Sequence, residues 1–204
     1  MIDFDGMART WDQDPLKVER AVKVAEAILE RAGSLEGKRG LEYGCGTGLL
    51  GFALQPHLAH VTLADSSPGM LAVLREKIAA AGAANVAALE LDVAAGPLPQ
   101  ARFDLLFTLM ALHHVRDIDG ALGAFHTLLE PGGHLFISDL DTEDGSFHGP
   151  DAEVHRGFDR LDLARRLERA GFREIQFSTP YVIRRETAKG PARFPLFLVA
   201  AGRG

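Results

Sequence analysis

The sequence predicts an α/β fold: a doubly wound, seven-stranded, mostly parallel sheet with helices on both faces, its last strand antiparallel, and an extra N-terminal helix. Three observations carry this. Strand-like and helix-like runs alternate through the first two thirds of the chain, and parallel neighbours need helical crossovers. A glycine-rich turn follows the first strand run. The last two strand runs, Arg173–Thr179 and Pro195–Ala201, have nothing helical between them and should therefore pair antiparallel.

Each element has local reasons. Asp14-Pro15 opens the first helix as an N-cap acid followed by a first-turn proline. Its apolar Leu16, Val18, Val22, Ala25 and Leu29 run on to Gly33, where it stops. The first strand covers about Arg39–Tyr43, and a short helix over Leu49–Gln55 ends at Pro56. The second strand, His60–Ala64, ends at Asp65. Ser66-Ser67-Pro68 then caps a helix with Leu71, Leu74 and Ile78 on one face. A third strand, Asn85–Leu91, ends at Asp92, and a fourth, Phe103–Leu109, runs into Leu112-His113-His114. A helix over Asp119–Leu129 stops at Glu130-Pro131-Gly132-Gly133, before a fifth strand, His134–Asp139. Residues 141–157 read as a polar loop too long for a plain connector, and a helix follows at Leu161–Ala170.

Composition narrows the class. The 204 residues suit one ordinary domain, and 47% hydrophobic with 25% charged residues is normal for a globular chain. Apolar stretches fall short of the roughly 18 residues a membrane helix needs, and the acidic N-terminus predicts no signal peptide. A single cysteine, Cys45, excludes an internal disulfide and a multi-cysteine metal site, and predicts a reducing cytoplasm. The net charge of −6 argues against a nucleic-acid partner. Charge is uneven: residues 1–150 hold 21 acids and 11 bases, whereas residues 151–204 hold 7 acids and 11 bases. The C-terminal excess, with Arg165, Arg166, Arg169, Arg184 and Arg185, reads as a solvated helix face and a basic hairpin.

The chemistry concentrates in Glu42-Tyr43-Gly44-Cys45-Gly46-Thr47-Gly48, after a strand and before a helix. Glycines let the backbone turn sharply and approach a ligand, and amides at the helix start favour an anion. Gly46-x-Gly48-x-x-Gly51 also satisfies a dinucleotide pattern, so spacing alone leaves an NAD(P)-dependent oxidoreductase open. A strand ending at Tyr43 instead sets the register at Gly44-x-Gly46-x-Gly48. Asp65 then ends the next strand, where a carboxylate accepts both hydroxyls of a ribose.

The motif Glu42–Gly48 resembles the first motif of class I S-adenosylmethionine-dependent methyltransferases, and Leu63-Ala64-Asp65-Ser66-Ser67 resembles their second. Asp92-Val93, Phe103–Leu106 leading to Leu112-His113-His114, and Leu129–Gly133 are similar to the later motifs, in order, over about residues 35–140. The resemblance implies a Rossmann-like fold, S-adenosyl-L-methionine as cofactor and a small or medium-sized acceptor. It divides the single domain into an N-terminal helix or lid (1–34), a cofactor-binding core (35–140) and an acceptor side (141–204). It implies that Gly44, Gly46 and Gly48 pass under the methionine part of the cofactor, with Tyr43 and Cys45 beside them as cofactor-binding residues. Asp65 would hold the ribose with Ser66 and Met70 alongside, and Asp92 and the Val93 amide would meet the adenine. The backbone near Leu109 would face the ammonium group. Arg9 and Trp11 are lid candidates.

Such a cofactor carries an activated methyl, so the protein mainly orients the acceptor. His113 or His114, where the fourth strand ends, is a candidate general base. No convincing ligand set predicts a metal. The long loop reads as mobile, covering the acceptor pocket with His148 or His155. The absence of an Asn/Asp-Pro-Pro-Tyr/Phe motif after the fourth strand weakens amino-group methylation of adenine or glutamine. A non-catalytic cofactor-binding protein of the same fold is the remaining rival.

Overall fold

Asp14 accepts from the Leu16 amide and Pro15 opens helix α2 (Pro15–Ala32), ahead of which lie a single helical turn, α1 (Phe4–Met7), and a 3₁₀ turn over Ala8–Gln13. The computed structural model describes residues 2–149, 152–188 and 190–204. Strand β1 (Arg39–Tyr43) leads into α3 (Leu49–Leu54), then β2 (His60–Asp65), α4 (Pro68–Ala81) and β3 (Val86–Glu90). After β4 (Phe103–Leu109) come α5 (Ile118–Leu128), β5 (Leu129–Leu140), α6 (Arg160–Arg169), β6 (Phe172–Thr187) and β7 (Gly190–Arg203).

The seven strands take the order β3-β2-β1-β4-β5-β7-β6. The first five are parallel, and β7 runs antiparallel to both of its neighbours. Strand order reverses between β1 and β4, and in open α/β sheets that is where a crevice opens beyond the strand ends. Side chains alternate along β4: Leu105 and Phe107 pack among Val24, Ile28, Leu50 and Leu71 from α2, α3 and α4. Leu106 faces the other layer, built with Leu122 and Phe125 of α5 and Leu163 and Leu167 of α6. Full burial of such side chains contributes about 1.5–3 kcal/mol each, which fixes the sheet between its helices.

Three segments differ from the sequence expectation. The Glu130–Gly133 turn lies inside β5, because Leu129 already pairs with Phe103 before the main ladder starts at Leu105 and His134. The last hairpin is much longer than its apolar runs, continuing through Arg184↔Arg193 to Thr187↔Gly190. Those outer positions are polar and lack an apolar run, so hydrophobic patterning could not find them. The long loop is anchored, in contrast to the expected mobility. Phe147 is buried with Leu140, Ile183, Phe194 and Leu196, and Arg160 grips Asp141 through two hydrogen bonds of 2.7 and 2.8 Å. Pro150 and Asp151 of that loop lie outside the described residues.

Candidate active site

A cavity of about 1380 Å³ opens at the carboxyl ends of β1, β2 and β4. It exceeds the roughly 300–1,000 Å³ typical of one drug-sized ligand, so there is space for two small molecules. The glycine turn forms its floor. Gly44 has φ +66°, and a Cβ there would come within 2.3 Å of the Ala111 Cβ. Only glycine fits that crossing of β1 and β4. Gly46 has φ +53°, and its amide donates to Asp65 Oδ2 at 2.7 Å. Asp65 Oδ1 accepts from the Ser67 amide at 2.8 Å, so two backbone donors aim this carboxylate along the cavity wall.

Tyr43, Cys45, Ser66, Met70, Asp92 and Leu109 also line the cavity. Burial, then the nearby Asp92 and Asp65 charges, push the Tyr43 phenol up to about 12. Burial pushes the Cys45 thiol well above its usual value, which makes it a packed and unreactive group. Asp92 is exposed and caps its own turn through the Ala94 amide at 2.9 Å. Two expected residues stand apart from the wall. Gly48, φ +83°, sits beneath the turn, where a Cβ would strike Leu74 and Leu63 within 2.8–2.9 Å. Val93 is half-buried and packs against the α5-side core. After Leu109, Met110 has φ +57°, a strained value for a long side chain, held by its amide bonding to Ser138 O at 2.9 Å.

The N-terminal segment is held over this floor by hydrogen bonds to its carboxylates, one of them from a lysine. Asp12 accepts from the Thr47 hydroxyl at 2.5 Å and from Lys77 Nζ at 2.7 Å, while Asp5 accepts from the Gly69 amide at 2.9 Å. Trp11 reaches the cavity. Arg9 turns outward to Glu76 at 3.3 Å and is not part of the wall. Glu42, unassigned in the sequence reading, is buried beneath the turn with Oε2 unpartnered, and burial pushes its carboxyl well above the usual range.

The two adjacent histidines differ. His113 is buried, and its Nδ1 lies 2.7 Å from Oδ1 of the fully buried Asp139, whose Oδ2 takes the His113 amide at 3.1 Å. Burial raises the Asp139 carboxyl, but the His113 ring and backbone amides outweigh it and leave the group below its ordinary value. The carboxylate therefore fixes hydrogen on Nδ1 and turns the Nε2 lone pair to the cavity. There His113 Nε2 meets His148 Nε2 at 3.0 Å; with hydrogen on His113 Nδ1, His148 is the ring that can donate. Burial first, then the neighbouring rings, lower His114 to about 3 and His148 to about 4. Phe4 sets its edge against His114 at 5.1 Å, joining the N-terminal segment to this cluster. His155 instead bonds the Val115 carbonyl at 2.9 Å, away from the wall. Ring nitrogens of His113, His114 and His148 lie within 4.8 Å of one another, the one set among the described residues spaced to hold a transition-metal ion. Asp139 was the residue missed, although its signal was an acid closing a strand, as at Asp65.

A family model described as a methyltransferase domain matches residues 17–176. The chain belongs to the class I S-adenosylmethionine-dependent methyltransferase family. A relative within the family, the ubiquinone biosynthesis O-methyltransferase of Pseudomonas aeruginosa strain UCBPP-PA14, is 34% identical over 144 residues, covering 68% of this chain and 61% of that protein. The Xylella fastidiosa strain M23 protein of the same name is 36% identical over 138 residues, covering 64% and 54%. The chain thus spans roughly three fifths or less of these relatives' length. A S-adenosylmethionine-dependent methyltransferase from Aquifex aeolicus superposes with TM-score 0.68 at 23% identity, over 94% of this chain and 99% of that one. Haemonchus contortus phosphoethanolamine N-methyltransferase 2, in complex with S-adenosyl-L-methionine, gives 0.72 at 16%, over 100% and 60%. These two likenesses bear on the fold alone.

Proposed function

We propose that this protein transfers a methyl group from S-adenosyl-L-methionine to a small acceptor, with His113 taking the acceptor's proton. The observation that supports this is one cavity holding both a glycine floor beside an aimed Asp65 and the buried Asp139–His113 pair. The floor fits the cofactor: a Cβ at Gly44 would fill the close approach to Ala111, and Asp65 keeps acceptor capacity for a pair of hydroxyls. When bound, the cofactor supplies an activated methyl on a sulfonium. The relatives' name, O-methyltransferase, favours oxygen as the acceptor atom.

The chain's own part is to orient and deprotonate. Gly44, Cys45 and Gly46 form the cofactor's floor, Asp65, Ser66 and Met70 its ribose side, and Asp92 its adenine side. Leu109 and the strained Met110 form the edge nearest the acceptor. His148 yields its hydrogen bond on His113 to the acceptor hydroxyl. His113 Nε2 would take the hydroxyl proton as the acceptor oxygen receives the methyl and the carbon–sulfur bond breaks to leave S-adenosylhomocysteine, and ionised Asp139 would stabilise the resulting imidazolium. S-adenosylhomocysteine and NADH binding should be compared by calorimetry, followed by an acceptor screen. Binding of the first and not the second supports the reading; the reverse sinks it. His113→Gln should lower kcat about 10²–10⁴-fold while leaving S-adenosylhomocysteine affinity within threefold.

A further inference from the structure

The cationic side chains on the cavity wall fall into two groups. Lys17, Lys23 and Arg116 each have a carboxylate partner, in Asp14, Glu26 and Glu153, at 3.8, 2.8 and 3.2 Å. Among the described residues Arg20, Arg184 and Arg185 have none, although all three line the cavity. Arg20 is the most unusual. Its Nε is buried with no hydrogen-bond partner, and burial outweighs the attraction of Asp14, Tyr181 and Asp139, lowering its basicity. The acids that might have served it are occupied. Asp14 caps α2, Glu19 accepts from the Tyr181 hydroxyl at 3.0 Å, and Asp139 holds His113. A guanidinium left without a partner in a partly desolvated wall is costly unless a ligand supplies the anion.

Arg20 stands at the seam where α2 meets the outward extension of β6, stitched by that Glu19–Tyr181 bond. Further along β6 from that seam, Arg185 lies 5.1 Å over the Phe147 ring, and Phe147 in turn packs edge-on against His148 at 4.8 Å. Arg20, which feels the Asp139 charge, and Arg185, which acts on His148, therefore both face the His113–His148 pair.

We propose that the methyl acceptor carries an anionic group, a carboxylate or phosphate, held between Arg20 and Arg185 while its reacting atom faces His113. This rests on the methyl-transfer reading and names its substrate class. A planar guanidinium takes either anion through two parallel hydrogen bonds, which fixes orientation as well as position.

The cofactor's own carboxylate is the other source of such an anion, and the test separates the two. Calorimetry on the S-adenosylhomocysteine complex should compare 3,4-dihydroxybenzoate with 3,4-dihydroxybenzamide, and phenyl phosphate with phenol. The anionic member of at least one pair should bind tenfold or more tightly than its neutral partner. Arg20→Met and, separately, the exposed Arg185→Met should erase most of that difference, and Arg20→Lys should keep part of it. S-adenosylhomocysteine and 5′-methylthioadenosine, which lacks the carboxylate, should bind Arg20→Met within threefold of wild type. No preference for either anion, no anion binding, or selective loss of S-adenosylhomocysteine over 5′-methylthioadenosine overturns the proposal. Wild-type binding of S-adenosylhomocysteine in the same experiment keeps its failure distinct from failure of the methyl-transfer reading.

Discussion

Asp65 spends one lone pair on each of two backbone amides, at 2.7 and 2.8 Å, and this is what aims the rest of its acceptor capacity along the cavity. A pair of ligand hydroxyls bonded there contributes about 1.5–3 kcal/mol per charged hydrogen bond before water compensates. Asp65→Ala should therefore weaken S-adenosylhomocysteine at least tenfold by calorimetry, with the circular dichroism of wild type. A folded variant of unchanged affinity would remove Asp65 from the ribose. At the histidines, one hydrogen bond decides between two chemistries. The His113–His148 contact satisfies both nitrogens without an ion. Turnover should accordingly survive dialysis against a strong chelator. Loss of turnover restored by zinc would turn the three rings into a metal centre, with Asp139 orienting one ligand.

The loop from Asp141 to Arg156 is an element whose length and polarity resemble a mobile lid. One aromatic side chain reverses that expectation. Phe147 packs on Phe194 at 5.1 Å, and the loop carries His148 to His113 on the next residue. Truncating a buried phenylalanine costs about 3–5 kcal/mol, here applied to the anchor of a loop as well as to core packing. We expect Phe147→Ala to lower the thermal midpoint and turnover together while S-adenosylhomocysteine affinity stays within threefold. Unchanged turnover in the folded variant would free the acceptor site from this loop. The β6–β7 hairpin behaves similarly. Its inner half completes the sheet, and its outer half packs Ile183 and Phe194 on Phe147, ends in a polar tip and lines the cavity through Thr179–Arg185.

At the scale of the whole molecule, acid sensitivity follows from neutral imidazoles shut into the cavity. His114 is held down to about 3 and His148 to about 4, chiefly by burial, from an ordinary 6.5. Between those values the unfolded chain takes up protons that the folded protein refuses, so protons favour unfolding. The histidine contribution is complete above about pH 6.5 and is lost as pH falls through about 4 for His148 and toward about 3 for His114. The melting temperature should drop between pH 7 and pH 5, before most carboxylates titrate. The His114→Phe/His148→Phe double variant should show a shallower drop, and an equally steep one would place the acid sensitivity elsewhere.

What the sequence by itself determined was local in origin. Strand and helix periods, Asp and Ser caps, and the Gly44–Gly48 turn depend on neighbours a few residues apart. With Asp65 closing the next strand they specified the sheet, its antiparallel final strand and the cavity floor. The acceptor side was decided only by tertiary structure. Asp139 and His113 are 26 residues apart, and His148 and His113 are 35 apart. No sequence period links such positions; the crossing of β4, β5 and the anchored loop brings them together. Arg20 drew no reading from the sequence; its want of a partner emerges only when β6 packs against α2 and Glu19 is taken by Tyr181, 162 residues away. Whether a charge has a partner depends on which groups the fold has already paired, and that is settled when long-range packing closes the chain around it.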